Sequence, residues 1–174
     1  MGRGDELVHL GRVTSRRGFS SESLAVTIVL RDAVPGDEAV LHEFDQALAT
    51  FESLDDEFTA SIEDFAAGLF GHDAPAKALI AELDGEIVGM AIYWFTFNTF
   101  SGKKGVWLED LFVRDEARRQ GVADALMDAL RNLSPGRLEW DVLDWNEGAL
   151  TLYRKLGAEP NVGWTKYGLR PHPH

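Results

Sequence analysis

The segment "AKALIAELDGEIVGMAIYWFTF" constrains the fold most, because it holds two apolar, β-prone runs separated by Asp84-Gly85. An Asp-Gly pair between such runs is the strongest short-range signal for a β-hairpin. Another apolar run, 106–113, follows a turn bracketed by Gly102 and Gly105. The sequence therefore predicts three consecutive antiparallel strands in the middle of the chain.

Before these strands, the β-branched run from Val26 to Arg31 predicts a first strand. Two helices should follow it, because apolar residues recur there with helical spacing. Asp37 is the expected N-cap of the first helix, and Gly71 is expected in the C-cap region of the second. The N-terminal half of the sheet is therefore predicted to be antiparallel.

After the three strands, helical spacing of apolar residues begins at Val122 and stops at 134–136. A strand over 137–145, a helix ending at Gly157 and a last strand over 163–169 complete the predicted order. A strand, helix, strand succession implies a right-handed crossover, so the strands over 106–113 and 137–145 should be parallel. The expected class is α/β, with a mixed central sheet flanked by helices.

Composition limits both the number of domains and the partners. The chain has 174 residues, a net charge of -12 and no cysteine. The acidity argues against nucleic-acid binding and favours cationic small molecules, although acidity also serves solubility alone. Without cysteine there are no disulfides and no thiol nucleophiles, and the scattered histidines predict no metal site. No apolar run approaches the roughly 18 residues needed to span a membrane, so we expect a cytoplasmic protein.

A single domain is expected over 25–170. The first 24 residues are rich in Gly, Ser and Arg without a sustained period, which predicts a flexible extension over 1–24. Residues 171–174 form a short tail outside the domain.

Although the chain is acidic, Arg114, Arg118 and Arg119 lie just before Gly121. This local positive charge indicates that an anion binds there. Backbone N–H groups in a tight strand-to-helix turn, with the positive end of the helix, form a phosphate site. Both G-x-x-x-x-G-K-[ST] and an early G-x-G-x-x-G are absent, which disfavours ATP-dependent and NAD-dependent enzymes. Alternatively, the arginines only line a solvated face and pair with nearby acidic residues.

The hexapeptide Arg118-Arg119-Gln120-Gly121-Val122-Ala123 resembles the Q/R-x-x-G-x-G/A signature of the GCN5-related N-acetyltransferases, which bind acetyl-CoA. The preceding "LEDLFV" and the later "DWNEGALTLYRKLGA" are similar to the diamine acetyltransferase branch of that family, which acts on spermidine, spermine or thialysine. The resemblance extends over 26–169. It implies the fold of that family, acetyl-CoA as the acetyl donor and a homodimer.

The resemblance also implies the residues that contact the cofactor. The diphosphate of CoA would lie on the N–H groups of the hexapeptide, and the pantetheine arm would run beside the end of the preceding strand. A backbone N–H near Phe112 or Val113, where family members have a β-bulge, would receive the oxyanion. The expected cofactor-binding residues are Leu111, Phe112, Val113, Arg118, Arg119, Gln120, Gly121, Val122, Ala123, Asn146 and Tyr153.

Acetyl transfer to an amine requires groups that move protons. An amine with a pKa of about 10 must lose a proton before it attacks, and Glu109 or Asp110 can accept it. Neighbours in a strand point to opposite faces, so at least one of the two should face the cleft; we assign Glu109 as the catalytic base. The family pattern implies Tyr153 as the proton donor to the thiolate, although its helical spacing also suits core packing. Asn146 resembles a cofactor-contacting asparagine, and a helix-capping role is the alternative.

The acceptor is expected to be a small cationic amine. Aromatic rings and carboxylates are the groups that enclose an alkylammonium chain. Two positions depart from the pattern of the diamine branch: Val162 stands where the branch has an acidic residue, and Phe51 stands where it has a tyrosine. These departures weaken the inference of polyamine specificity, so a diamine or a lysine analogue is equally plausible. A protein or peptide acetyltransferase and a non-catalytic acyl-CoA sensor are the alternative functions. The expected substrate-binding residues are Glu52, Glu109, Asp110, Trp145 and Trp164.

Overall fold

The computed structural model describes residues 12–15 and 26–169. The strand 12–15 lies within the predicted N-terminal extension; the remainder of 1–24 and the predicted tail fall outside the described residues. The described residues divide into two compact units, one up to Asp141 and one from Val142.

The first unit is built on one six-stranded sheet in the order β1-β2-β3-β4-β5-β6. Neighbouring strands are antiparallel except for β5 and β6, which are parallel through the pairs Val106↔Leu138 and Trp107↔Glu139. The predicted mixed sheet with an antiparallel N-terminal half is thus confirmed. The strands are β1 Arg12–Ser15, β2 Val26–Asp32, β3 Lys77–Leu83, β4 Glu86–Asn98, β5 Lys103–Val113 and β6 Leu138–Glu139. The helices are α1 Glu38–Glu52, α2 Ile62–Phe70, α3 Val122–Leu133 and, in the second unit, α4 Glu147–Lys155.

The β3–β4 hairpin forms at the predicted turn. Asp84 and Gly85 have φ angles of 51° and 92°, and Leu83 pairs with Glu86. Positive φ at both central residues gives the two-residue turn whose twist matches that of the flanking strands. The local turn chemistry therefore determines the register of the central sheet.

Helices cover both faces of the sheet. Leu41 and Phe44 of α1 pack with Met90 and Ile92 of β4 in one buried cluster. Gly89 alternates with these β4 residues and lies on the other face, where an added Cβ would be 3.3 Å from a methyl of Val122 in α3 and 2.8 Å from the carbonyl oxygen of Phe112. The missing side chain at Gly89 therefore lets β4 approach both the end of β5 and the start of α3.

Two predicted strands are wrong. The strand over 137–145 shrinks to Leu138–Glu139, and 163–169 contains no strand. Trp164 and Tyr167 are 83% and 92% exposed. An alternating pattern shows which face a segment can bury, but a strand also needs a neighbour to receive its hydrogen bonds. Over 163–169 the described residues supply no such neighbour.

Candidate active site

The turn from β5 into α3 depends on unusual backbone angles. Arg119 and Gly121 have φ angles of 59° and 91°, and Gly121 is the N-cap of α3. A residue with a Cβ is strained at such an angle, whereas glycine is not. Gly121 therefore allows the chain to turn sharply into the helix.

This turn leaves a row of backbone donors at the mouth of α3. Within the described chain, the N–H groups of residues 120–123 donate to no other residue. The first N–H groups of a helix have no partner inside the helix, and the helix dipole makes that end positive. The mouth of α3 can therefore bind an anion such as a diphosphate through its main chain.

The side chains of the same turn stabilise the loop. Arg118 donates from Nε to the carbonyl oxygen of Val113 at 3.2 Å and forms an ion pair with Asp115 at 2.9 Å. Gln120 donates from Nε2 to the carbonyl oxygen of Glu116 at 2.9 Å. The pairing of Arg118 with an acidic neighbour is the alternative that the sequence left open. These bonds hold the turn against the end of β5 and do not involve the backbone N–H groups of residues 120–123.

Near its end, β5 has a described strand neighbour on one side. Its parallel pairing with β6 stops at Trp107, so β4 is the sheet neighbour that the structure describes for 108–113. A strand with one neighbour carries backbone groups that can bond to a ligand. The predicted pantetheine-binding residues Leu111, Phe112 and Val113 lie on this part of β5.

A β-bulge distorts β5 at Glu109. Ile92 pairs with Asp110 and Tyr93 with Leu108, so Glu109 has no partner opposite it. The expected bulge near Phe112 or Val113 therefore lies earlier in the strand. A bulge inserts an extra residue and redirects the side chains around it, so Glu109 and Asp110 do not follow the simple alternation assumed from the sequence.

Four acidic side chains, Asp45, Glu52, Glu109 and Asp110, come together and are here called the carboxylate cluster. The first two belong to α1 and the last two to β5. Asp110 lies two residues before Phe112, whose ring stacks on Phe44 of α1 at 4.9 Å. The packing of α1 on β5 thus brings the predicted Glu52, Glu109 and Asp110 into one place.

Burial dominates the electrostatics of this cluster. Burial, followed by repulsion from Asp110, Glu109 and Glu52, raises the pKa of Asp45 to about 8. Burial, followed by repulsion from Glu109 and Glu52, raises the pKa of Asp110 to about 7. Burial also raises the pKa of Glu52. The pair formed by Asp45 and Asp110 therefore retains a proton near neutral pH.

The carboxylate cluster has no cationic partner in the described chain. The ion pairs there connect other residues; the nearby Arg114, for example, pairs with Glu43 at 2.7 Å. The Oδ1 atom of Asp45 is buried without a hydrogen-bond partner. Negative charge without a protein counter-ion suits a cationic ligand.

Sequence reasoning missed Asp45. It lies between Leu41 and Leu48 in the apolar stripe of α1, with Glu52 two helical turns further on. An acidic residue within an apolar stripe is the signal that could have identified it, because an unpaired buried carboxyl group is costly.

Sequence reasoning also did not select Trp107 as a site residue. Its Nε1 donates to a carboxylate oxygen of Glu109 at 2.8 Å, and its ring stacks on that of Trp94 at 6.1 Å. The structure thus places tryptophan rings of β4 and β5 beside the carboxylate cluster. The predicted Trp145 and Trp164 belong to the second unit, where they are 54% and 83% exposed.

The second unit carries the remaining predicted residues. Asn146 caps α4, accepting from the N–H of Ala149 at 3.1 Å, so the capping alternative is confirmed for its side chain. Tyr153 is half-buried in this helix. The helix ends at Lys155 with Leu156 as its C-cap, one residue before the predicted C-cap Gly157, which has a φ of 78°. Donation from the N–H of Ala158 to the carbonyl of Tyr153 closes the helix.

Two kinds of feature are absent from the described residues. None of their helices combines the length and the apolar character needed to cross a membrane. In the same part of the chain, no group of three or more His, Cys, Asp or Glu side chains could hold a metal ion, so the carboxylate cluster is not arranged as a metal site.

Comparison with known families defines the class of protein. The model of the Acetyltransferase (GNAT) family matches residues 41–158. The chain therefore belongs to this family, and it is an N-acetyltransferase.

Individual relatives refine the position within the family. A thialysine N-epsilon-acetyltransferase from Bos taurus is 31% identical over 144 residues, which are 76% of this chain and 84% of the relative. An L-ornithine N5-acetyltransferase from Arabidopsis thaliana is 27% identical over 80% of this chain and 60% of its own. Among solved structures, an integron cassette protein from V. cholerae has a TM-score of 0.68 at 22% identity, covering 83% of this chain and 93% of that one. The last likeness concerns the fold alone.

Proposed function

We propose that the protein transfers an acetyl group from acetyl-CoA to a primary amine of a small cationic molecule, such as a diamine, a polyamine or a lysine analogue. The observation that carries this proposal is the course of β5. The strand passes the carboxylate cluster at 109–110 and leads at Val113 into the turn with free backbone donors. A cation and a diphosphate would therefore be held at two points along one strand. Relatives named for thialysine and ornithine acetylation support an amino-group acceptor.

The turn before α3 would bind the diphosphate of CoA through the N–H groups of residues 120–123. Arg118 and Arg119 add local positive charge in a chain whose net charge would otherwise repel the cofactor. The pantetheine arm would follow the end of β5, where Leu111, Phe112 and Val113 have backbone groups to offer. Asn146 would add a contact, as the family pattern implies.

The reaction would proceed by direct attack in a ternary complex. The chain contains no cysteine that could form a thioester intermediate, and the amine nitrogen would attack the thioester carbonyl carbon itself. The resulting oxyanion would receive a hydrogen bond from an N–H near Phe112 or Val113. Collapse would break the carbon–sulfur bond and release the CoA thiolate.

Glu109 would accept the proton of the attacking amine. It is exposed in the bulge, so it can pass that proton to solvent after each turnover. Tyr153 would protonate the leaving thiolate, because a phenol with an ordinary pKa of about 10 keeps its proton at neutral pH. Trp145 and Trp164 would enclose the acceptor, in keeping with the resemblance to the diamine branch. We also propose a homodimer in the cytoplasm.

A panel of acceptors tests the function. Release of CoA from acetyl-CoA is measured with diamines, polyamines, lysine analogues and N-terminal peptides at equal concentrations. We expect the highest kcat/KM among the small di-cations and lysine analogues. A preference for peptides would favour the protein acetyltransferase, and CoA binding without transfer to any amine would indicate an acyl-CoA sensor.

A further inference from the structure

Asp45 is a half-buried acid with one fully buried carboxyl oxygen, and the proposed chemistry does not use it. Its Oδ1 atom is enclosed without a hydrogen-bond partner. Leu41 and Leu48 occupy the same stripe of α1, so an apolar residue at position 45 would suit the helix better. A buried carboxyl group without a partner destabilises the fold. Its presence is accounted for if a ligand supplies the missing partner.

The elements packed around Asp45 contribute carboxylates and aromatic rings. Glu52 comes from α1, and Glu109 and Asp110 come from β5. Arg114, after β5, is already paired with Glu43, and His42 of α1 bonds to the carbonyl of Ala60. From β4 and β5, the stacked rings of Trp94 and Trp107 lie beside the cluster. The surroundings therefore suit a cation that carries an alkyl chain.

We propose that Asp45 and Asp110 form the subsite for the second, non-reacting positive charge of the acceptor, and so select diamines over monoamines. This inference rests on the proposed function and deepens it. The reacting amine would lie at Glu109 and the distal ammonium between Asp45 and Asp110. The two carboxyl groups come from different elements, α1 and β5, so the distance between them is set by the packing of the helix on the sheet.

Binding of the distal ammonium should release a proton. The pKa values of Asp45 and Asp110 are raised to about 8 and about 7, so the free pair still holds a proton at pH 7. A bound cation favours the ionised form of both groups. The proton must therefore leave as the acceptor binds, and diamine affinity should increase as the pH rises from about 6 to 8.

The first test compares 1,5-diaminopentane with pentylamine, which has the same chain and one charge fewer. In the wild type the diamine should have the higher kcat/KM. Asp45→Asn should reduce that preference at least about tenfold, mainly through the KM of the diamine, because the charge-assisted contact is lost. Asp110→Asn should act in the same direction. Asp128→Asn is the matched control, since it neutralises an exposed carboxylate of α3 and should keep the wild-type preference.

The second test counts protons. Titration calorimetry of the diamine into the CoA-bound enzyme, in buffers of different ionisation enthalpy, should show release of about one proton at pH 7. Asp45→Asn should release clearly less, whereas Asp128→Asn should match the wild type. Circular dichroism confirms that each variant is folded.

The outcomes separate the two proposals. If Asp45→Asn keeps both the diamine preference and the proton release, the subsite is refuted while acetylation of diamines stands. If the wild type acetylates no amine, the proposed function fails instead. If it acetylates monoamines as well as diamines, the function stands and the subsite is refuted.

Discussion

Replacement of Asp45 by Asn tests the electrostatics of the carboxylate cluster without any need for activity. The folded protein holds the pKa of Asp45 at about 8, against about 3.9 in an unfolded chain. Between these values the folded state binds more protons than the unfolded state, so the free energy of unfolding falls as the pH rises. Asp45→Asn removes this contribution. The variant should therefore gain stability relative to the wild type from pH 5 to pH 8.

The magnitude follows from the shift in pKa. One bound proton changes the free energy of unfolding by about 1.4 kcal/mol per pH unit, so three units give a ceiling of about 4 kcal/mol. Asp45 is only half-buried, and water and side-chain movement relieve part of the penalty. We expect a relative gain of about 2 kcal/mol, or about 4–8 °C in Tm for a domain of this size.

Thermal and urea unfolding, followed by circular dichroism at pH 5 to 9, measures this difference. Asp128→Asn makes the same chemical replacement at an exposed position, so its difference from the wild type should stay nearly constant with pH. A flat difference for Asp45→Asn would refute the raised pKa, and a relative loss of stability at high pH would show that the ionised carboxylate has a partner.

Three further predictions concern the proposed chemistry. Gly121→Val should raise the Kd for CoA, measured by calorimetry, at least about tenfold, because a φ of 91° strains a β-branched residue. The control is Gly36→Ala, which also changes a residue at positive φ but lies away from the turn and should bind CoA normally. Tight CoA binding by Gly121→Val would contradict a main-chain phosphate site. Tyr153→Phe should lower kcat by about 10- to 100-fold with little change in CoA affinity, whereas weaker binding at unchanged turnover would remove the proton-donor role. Glu109→Gln should lower kcat about 100-fold or more under saturating acceptor, while exposed Glu63→Gln serves as its control and equal turnover in both variants would exclude Glu109 as the base.

Local sequence chemistry predicted much of the fold and the turn that we propose to bind the diphosphate. The pair Asp84-Gly85 determined the hairpin because few residues adopt its backbone angles. Gly121 marked the start of α3 for the same reason, and apolar spacing located the helix that follows. In contrast, the alternating pattern over 163–169 did not produce a strand, since pairing depends on a neighbour that local spacing cannot supply.

The sequence by itself determined the turns, the helices and the family motif, because each depends on residues that are close along the chain. Only the tertiary structure decided the proposed acceptor side. It brought Asp45 and Glu52 of α1 close to Glu109 and Asp110 of β5. It also determined that the β-bulge lies at Glu109 and not near Phe112 or Val113. A carboxyl group has an altered pKa only when distant segments remove it from water and bring other charges near it. That condition belongs to packing, so no local pattern could reveal the pairing of Asp45 with Asp110.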